Sequence, residues 1–334
     1  MFERLTVRLP NWLGDTVMAV PALASLHAAF PGARVLAAGP WSSILAGQGL
    51  ADVLLEYPRA WSGRLRAADV ARDFRAAVAI VLPNSFESAL AARYWRATRR
   101  VGFGTAGRSW LLTDAPPLPA PRRHQVDEYL LIAEAIGASA TTREPRLTPP
   151  PAEGDDRREV RQWLAEAGVG HGAAVIGVHL GAAYGDAKIW PTERVVDLVR
   201  SLRAPDLPVA LLGPADNGAA ANAIVAATGV ASLVGRDRPG MLGALLSEID
   251  VLVAGDTGVA HLAAALGTPV VTLFGPTDPA LSAPRGPGAV VRRSVPCAPC
   301  FYRRCPIDHP CMRGITGAEV ADQVVALVRE RVGR

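Results

Sequence analysis

The sequence predicts an α/β fold of two lobes, each built on an open, doubly wound parallel sheet. Three observations predict it. Short apolar runs alternate with amphipathic stretches through both halves of the chain, which is βαβ rhythm. That rhythm breaks once, near the middle, where prolines cluster. Finally, 334 residues, half of them apolar and a fifth charged, suffice for two domains that each bury a core.

In the first half, residues 5–9 read as a strand, 14–15 as a turn and 16–30 as a helix with Val17, Val20, Leu23 and Leu26 on its apolar face; Pro31 and Gly32 stop it. Strands follow at 34–38, 52–56 and 76–82, the last a continuous apolar run suited to a central parallel strand. From 112 to 123 the chain is proline-rich. A helix at 126–136 precedes a second irregular stretch, 144–154, whose consecutive prolines can continue neither helix nor sheet and form the domain linker. Beyond it a helix is expected at 156–167 and strands at 174–179, 209–212, 251–254 and 270–274. Helices at 192–202, 217–228, 239–247 and 259–266 lie among them, and an amphipathic helix at 318–331 ends the pattern.

Composition narrows the function classes. The 35 basic residues exceed the 31 acidic ones by only four, and no long basic run occurs, so nucleic acid is not indicated as a partner. The first 30 residues carry Glu3, Arg4, Arg8 and Asp15 within the apolar pattern, unlike a signal-peptide core, and no apolar stretch reaches the length of a spanning helix. A cytoplasmic protein is expected.

Of the 35 basic residues 34 are arginines; the one lysine is Lys188. An exception of that kind points to a site needing a compact ammonium in place of a planar guanidinium, although chance also leaves single lysines. Three loops that follow strands hold the other candidates, since open α/β sheets bind ligands at the carboxyl ends of their strands. In Pro10-Asn11-Trp12-Leu13-Gly14-Asp15-Thr16, Asp15 either N-caps the next helix or acts as a general base. In the segment from His179 to Lys188, Gly181 lets backbone amides approach an anion and Lys188 adds charge; a solvated loop lysine is the plain alternative. In Gly255-Asp256-Thr257-Gly258-Val259-Ala260-His261, Thr257 and Gly258 open a helix whose N-terminus can hold a phosphate. There Asp256 as a cap and His261 as a buried core histidine are the structural alternatives. The Walker spacing is absent, which disfavours a P-loop NTPase, and the first βα turn lacks the G-x-G-x-x-G of dinucleotide-dependent dehydrogenases.

Cys297, Cys300, Cys305 and Cys311 fall within fifteen residues. Four thiolates are enough for a tetrahedral zinc site, though the spacing departs from paired C-x2-C; a reduced structural loop and a redox role stand beside that reading.

Taken together, Asn11-Trp12-Leu13-Gly14-Asp15, the stretch from Gly181 to Ala187-Lys188-Ile189-Trp190-Pro191, Gly255-Asp256-Thr257-Gly258 with His261, and Phe274-Gly275-Pro276-Thr277-Asp278-Pro279 resemble the family 9 glycosyltransferases, the bacterial ADP-heptose:lipopolysaccharide heptosyltransferases. The opening motif and the cysteine cluster are most similar to the type II branch. The resemblance runs along nearly the whole chain. It implies the GT-B arrangement, two Rossmann-like lobes facing an interdomain cleft: residues 1–150 bind the acceptor, 151–317 bind the nucleotide sugar, and the helix in 318–334 crosses back toward the first lobe. It implies inverting transfer of heptose from ADP-L-glycero-D-manno-heptose to the inner core of lipopolysaccharide, without a catalytic cofactor. Asp15 is similar to the family's base, with Asn11, Trp12 and Gly14 on the acceptor-side loop. Lys188 would stabilise the leaving diphosphate, and Gly181, Asp256, Thr257, Gly258 and His261 would bind the donor. Some relatives carry hydroxyl residues where Ala182 and Ala183 stand, which leaves that loop its backbone amides. Residues 234–241 are a positional expectation for the adenine pocket. The lipid A-core acceptor implies peripheral contact with the inner membrane. Another nucleotide-sugar donor, an epimerase, and a non-catalytic nucleotide-sugar-binding protein are the competing readings.

Overall fold

The computed structural model describes residues 2–58, 60–169, 174–203 and 206–332. The chain divides between Leu147 and Thr148, within the proline-rich stretch, into two compact units.

The first unit holds β1 (Arg4–Arg8), β2 (Arg34–Gly39), β3 (Val53–Glu56), β4 (Val78–Val81) and β5 (Arg99–Val101) in one parallel sheet of order β3-β2-β1-β4-β5. The order reverses beside β1, so the loops after β1 and β4 flank the point where such sheets bind ligands. Val7, Ala79, Ile80 and Val81 are completely buried, as strands covered on both faces must be. The helix expected at 16–30 is two helices, Leu13–Met18 and Val20–Ala29, which meet at Ala19. Pro21 explains the break: it has no N–H for the helical ladder, and it stands instead in the first turn of the second helix, where none is needed.

The second unit holds β6 (Ile176–His179), β7 (Val209–Leu212), β8 (Ala231–Ser232), β9 (Val251–Gly255), β10 (Val270–Phe274) and β11 (Gly288–Arg292), again all parallel, in the order β11-β10-β9-β6-β7-β8. The reversal falls between β6 and β9, paired from Ile176 opposite Val251 to His179 opposite Ala254. The closing helix, Gly317–Val332, packs against the helix Thr192–Leu202 and strands β9 to β11. It belongs to the second unit, in whose core Val320 and Val324 are fully buried.

Candidate active site

The loop after β6 is fastened at both ends. Trp190 is buried in the core and donates its indole N–H to the Ile315 carbonyl at 3.2 Å. Pro191 follows as the residue preceding the helix Thr192–Leu202, preset in φ. Between these anchors and Gly185, Lys188 sits at the end of a short 3-10 turn, its side chain 10 % exposed. Its ammonium donates to Asp256 Oδ2 at 2.5 Å and to the Asp256 carbonyl at 3.1 Å. The backbone approach is close as well: a Cβ on Gly255 would lie 2.9 Å from the Lys188 carbonyl, so only glycine fits there.

Asp256 is not the helix cap. Thr257 occupies that position, in extended conformation and without a side-chain cap bond, ahead of the helix Gly258–Ala265. The Asp256 carboxylate instead gathers Lys188, the Thr277 hydroxyl (2.8 Å to Oδ2) and His261, whose Nε2 lies 3.9 Å from Oδ1. Burial, the strongest influence on this carboxylate, would raise its pKa; the His261 imidazole and Lys188 ammonium outweigh burial and hold it at about 2. His261 is buried, yet faces this network. The Thr257 Oγ1 is buried without a hydrogen-bond partner, beside the first amides of the helix, which by helix geometry have no intrahelical acceptor.

Thr277 was missed as a site residue although its Gly-Pro-Thr-Asp-Pro segment stood out. The segment divides its work: Thr277 bonds Asp256, while Asp278 caps the short helix Pro279–Ser282 by accepting the Ala280 N–H at 3.0 Å. Gly181 is packed against Pro214 Cδ and Asn217 Oδ1, where a Cβ would come within 3.0 Å of both. His179, at the end of β6, accepts the Gly181 N–H through Nδ1 and points Nε2 toward Asp237 at 3.6 Å, which brings one residue of the 234–241 segment to this strand end.

The cysteines do not form the zinc site that four thiolates allow. Cys311 lies buried on the short helix Pro310–Arg313, its thiol pKa raised by burial, whereas Cys297 is exposed, and Cys305 accepts the His309 N–H. Among the described residues no three His, Cys, Asp or Glu side chains are placed to hold a metal. The segment docks instead on the lysine loop: Pro276 accepts the N–H groups of Cys300 and Phe301, Arg303 accepts the Ala187 N–H, and the Tyr184 hydroxyl donates to the Phe301 carbonyl at 2.6 Å. The Tyr184 ring thereby carries two cations, Lys188 Nζ at 4.6 Å and the Arg303 guanidinium at 5.4 Å from its centre.

In the first unit, Trp12 takes the cap position of Leu13–Met18, so Asp15 stands inside the first turn and is not the cap. It is half-buried. Tyr129, on the helix Gln125–Glu134, feels that charge: burial first, then the Asp15 carboxylate, pushes its pKa well above the ordinary range. Asn11 is held by Arg8, which donates to Oδ1 at 2.9 Å. Gly14 is buried in the same turn, and Thr16 donates to the Trp12 carbonyl at 3.0 Å. Sequence reading overlooked two fully buried arginines at this sheet's carboxyl end. Arg8 stacks 4.7 Å over the Tyr57 ring and lies 3.7 Å from Glu87. Arg108 has no carboxylate partner among the described residues; it donates to the carbonyls of Pro83, Ser85 and Phe103 and to Ser88 Oγ, and burial lowers its pKa to about 10.

The model of glycosyltransferase family 9 (heptosyltransferase) matches residues 68–310. The chain is 28 % identical to lipopolysaccharide heptosyltransferase 2 of Escherichia coli K12 over 305 residues, 86 % of either chain, and 25 % identical to lipooligosaccharide heptosyltransferase 2 of Haemophilus influenzae over 304 residues, 86 % of this chain and 87 % of the other. Its fold is that of two solved structures: ADP-heptose lps heptosyltransferase II of E. coli, with a TM-score of 0.79 at 24 % identity over 98 % of this chain and 99 % of that one, and a family 9 glycosyl transferase from Veillonella parvula, with 0.84 at 19 % over 98 % and 97 %.

Proposed function

The chain belongs to glycosyltransferase family 9, and on that premise we propose that it moves heptose from ADP-L-glycero-D-manno-heptose to the inner core of lipopolysaccharide with inversion. The observation that carries the proposal is the network of Lys188, Asp256, Thr277 and His261 at the reversal point of the second sheet, joined to a helix N-terminus. The names of the relatives at 25–28 % identity support the same activity.

Inversion is a single displacement. A base on the first unit takes the acceptor proton while the ADP leaves on the second. Asp15 is that base in our reading, and Asn11, Trp12 and Gly14 shape its loop. Charge grows on the diphosphate oxygens as the bond to the sugar breaks, and groups aimed at it in advance lower the barrier. The amides and hydroxyl at Thr257 and Gly258 supply hydrogen bonds, and the loop at Gly181 offers amides. Asp256 neutralises Lys188 in part and fixes its direction, so the lysine acts as an oriented donor more than as a free charge. Arg303, whose guanidinium has no carboxylate partner among the described residues, adds the positive charge that the lysine–aspartate pair lacks.

Among the described residues no helix is long and apolar enough to cross a membrane. Because the acceptor in this reading is lipid-linked, we place the protein at the cytoplasmic face of the inner membrane as a peripheral protein.

The test is a transfer assay with competing donors. ADP-heptose and a heptosylated lipid-linked acceptor should yield one ADP per sugar transferred, and GDP- or UDP-sugars should not displace ADP-heptose. Displacement by those sugars would assign another donor; ADP-heptose binding without transfer would leave a binding protein.

A further inference from the structure

The first unit exposes an apolar stripe that its own core does not need. On the helix Phe86–Tyr94, Phe86, Leu90 and Tyr94 follow at intervals of four and are 43 %, 46 % and 41 % exposed. Trp110, 70 % exposed, meets Phe86 ring to ring at 6.2 Å. At the other end Arg72, on the helix Trp61–Asp73, stacks on the Tyr94 ring at 5.2 Å, and Leu65, 68 % exposed, lies seven residues before it on the same helix face. The stripe is thus continuous across two helices.

Charge gathers around it. Residues 61–114 hold eight arginines besides the buried Arg108, against Asp69, Asp73, Glu87 and Asp114, an excess of +4 that equals the net charge of the whole chain. Within the stripe's edge, Arg93 lies three residues after Leu90 and seven after Phe86, on the same face, and Arg96 follows Tyr94 closely. Both are exposed, and among the described residues neither has an ion-pair partner. A polar protein partner would match paired charges, and a second copy would bring the same excess of arginines against itself. Exposed Trp, Phe and Tyr rimmed by unpaired arginines match a bilayer interface, where aromatic rings sit at headgroup depth and arginines meet lipid phosphates.

We propose that this face, Leu65, Phe86, Leu90, Tyr94 and Trp110 with Arg93 and Arg96, docks the first unit on an anionic phospholipid bilayer. The proposal rests on the lipid-linked acceptor for its purpose, while its test does not depend on transfer. Docking leaves the donor network of the second unit untouched and delivers the acceptor-side unit to the surface that holds the acceptor.

The experiment is co-sedimentation of the full chain with vesicles of phosphatidylcholine alone or mixed with phosphatidylglycerol, without acceptor. The wild type should bind the mixed vesicles and release them at high salt. Arg93→Gln with Arg96→Gln should weaken that binding by about thirtyfold, at roughly fivefold for each arginine near an anionic surface. Phe86→Ser with Trp110→Ser should weaken binding to the mixed vesicles by about tenfold or more, by the apolar area withdrawn from the interface. Both variants change exposed side chains and should keep the wild-type thermal midpoint and wild-type turnover on acceptor dispersed in detergent. Wild-type vesicle affinity in the folded variants would overturn the proposal, as would a wild type that ignores phosphatidylglycerol. Self-association lost in the variants without vesicle binding would assign the face to a second copy. Vesicle binding by a protein inactive on every acceptor would instead sink the transferase reading and leave the docking face standing.

Discussion

At the carboxyl end of the first sheet the buried cations are arginines; at the carboxyl end of the second the buried cation is a lysine. Arg8 and Arg108 spread their donors over Leu9, Asn11, Pro83, Ser85 and Phe103, so each guanidinium braces several loop carbonyls at once. Lys188 puts its ammonium on one residue, Asp256, within a helix-end site that Thr257 opens. The difference teaches what each end is built for. A planar fork satisfies a rigid frame of mostly neutral acceptors, with Glu87 3.7 Å from Arg8, and the turn after β1 carries the Asp15 carboxylate. A compact ammonium, paired and oriented, suits a site whose ligand brings its own negative charge.

The largest effect should come from Asp15→Asn, which keeps shape and removes the proposed base. Transfer should fall by about a thousandfold, the usual worth of a positioned general base being roughly 10²–10⁴. A fall of less than about tenfold in initial rate would strip the first unit of its chemical role. Next, Lys188→Arg keeps the charge and changes the geometry. Turnover should drop by about a hundredfold, near 3 kcal/mol. Full activity in that variant would mean that charge alone matters and that the contrast between the two ends has no functional content.

The frame itself is probed by Arg108→Met. Its removal takes one donor from each of the Pro83, Ser85 and Phe103 carbonyls, which keep the Ser88 hydroxyl and the Thr105 N–H, and each lost hydrogen bond costs about 0.5–1.5 kcal/mol. A loss of roughly 2–3 kcal/mol in urea unfolding is expected, with the donor affinity unchanged. A stable variant would show that the frame does not need the Arg108 guanidinium.

The smallest effect concerns Asp256. Its folded pKa of about 2 lies below the usual 3.8, so its contribution to stability is present above pH 4 and disappears as pH falls from 4 to 2. That contribution is about 2 kcal/mol. Urea midpoints from pH 5 to pH 2 should therefore fall more steeply in the wild type than in Asp256→Asn. Parallel curves would mean that Asp256 is not held ionised by Lys188 and His261.

The central strands were readable because burial on both faces leaves uninterrupted apolar runs: 209–212 and 270–274 match β7 and β10 residue for residue. Three strands escaped, and all lie at sheet edges. β5 is three residues, two of them arginine, β8 is two residues, and β11 follows a Pro-Gly-rich stretch with half its side chains outward. An edge strand buries little, so its pattern is weak. In the site, Lys188, Asp256 and His261 were legible as neighbours in principle through their strand-end positions, and the structure brings them together. Neither alternative reading of Asp15 or Asp256 as a cap survives, since Trp12 and Thr257 take those positions. Thr277, Tyr184 and Arg303 could not be read, because their partners lie 21 to 119 residues away and are set by packing. The cysteines illustrate the same limit: spacing allowed a metal, but Cys311 is drawn into the core beside Met312. Arg8 carried one usable signal, a charge at the end of a buried strand, whereas Arg108, seven residues past β5, carried none.

We propose that the two ends divide the reaction, base on the first unit and nucleotide on the second. The most direct measurement is calorimetric titration of ADP into Asp15→Asn and Lys188→Arg side by side with the wild type. ADP affinity should stay within about twofold of wild type in the first variant and fall by about tenfold or more in the second. Equal losses in both, or an unchanged affinity in Lys188→Arg, would contradict the division.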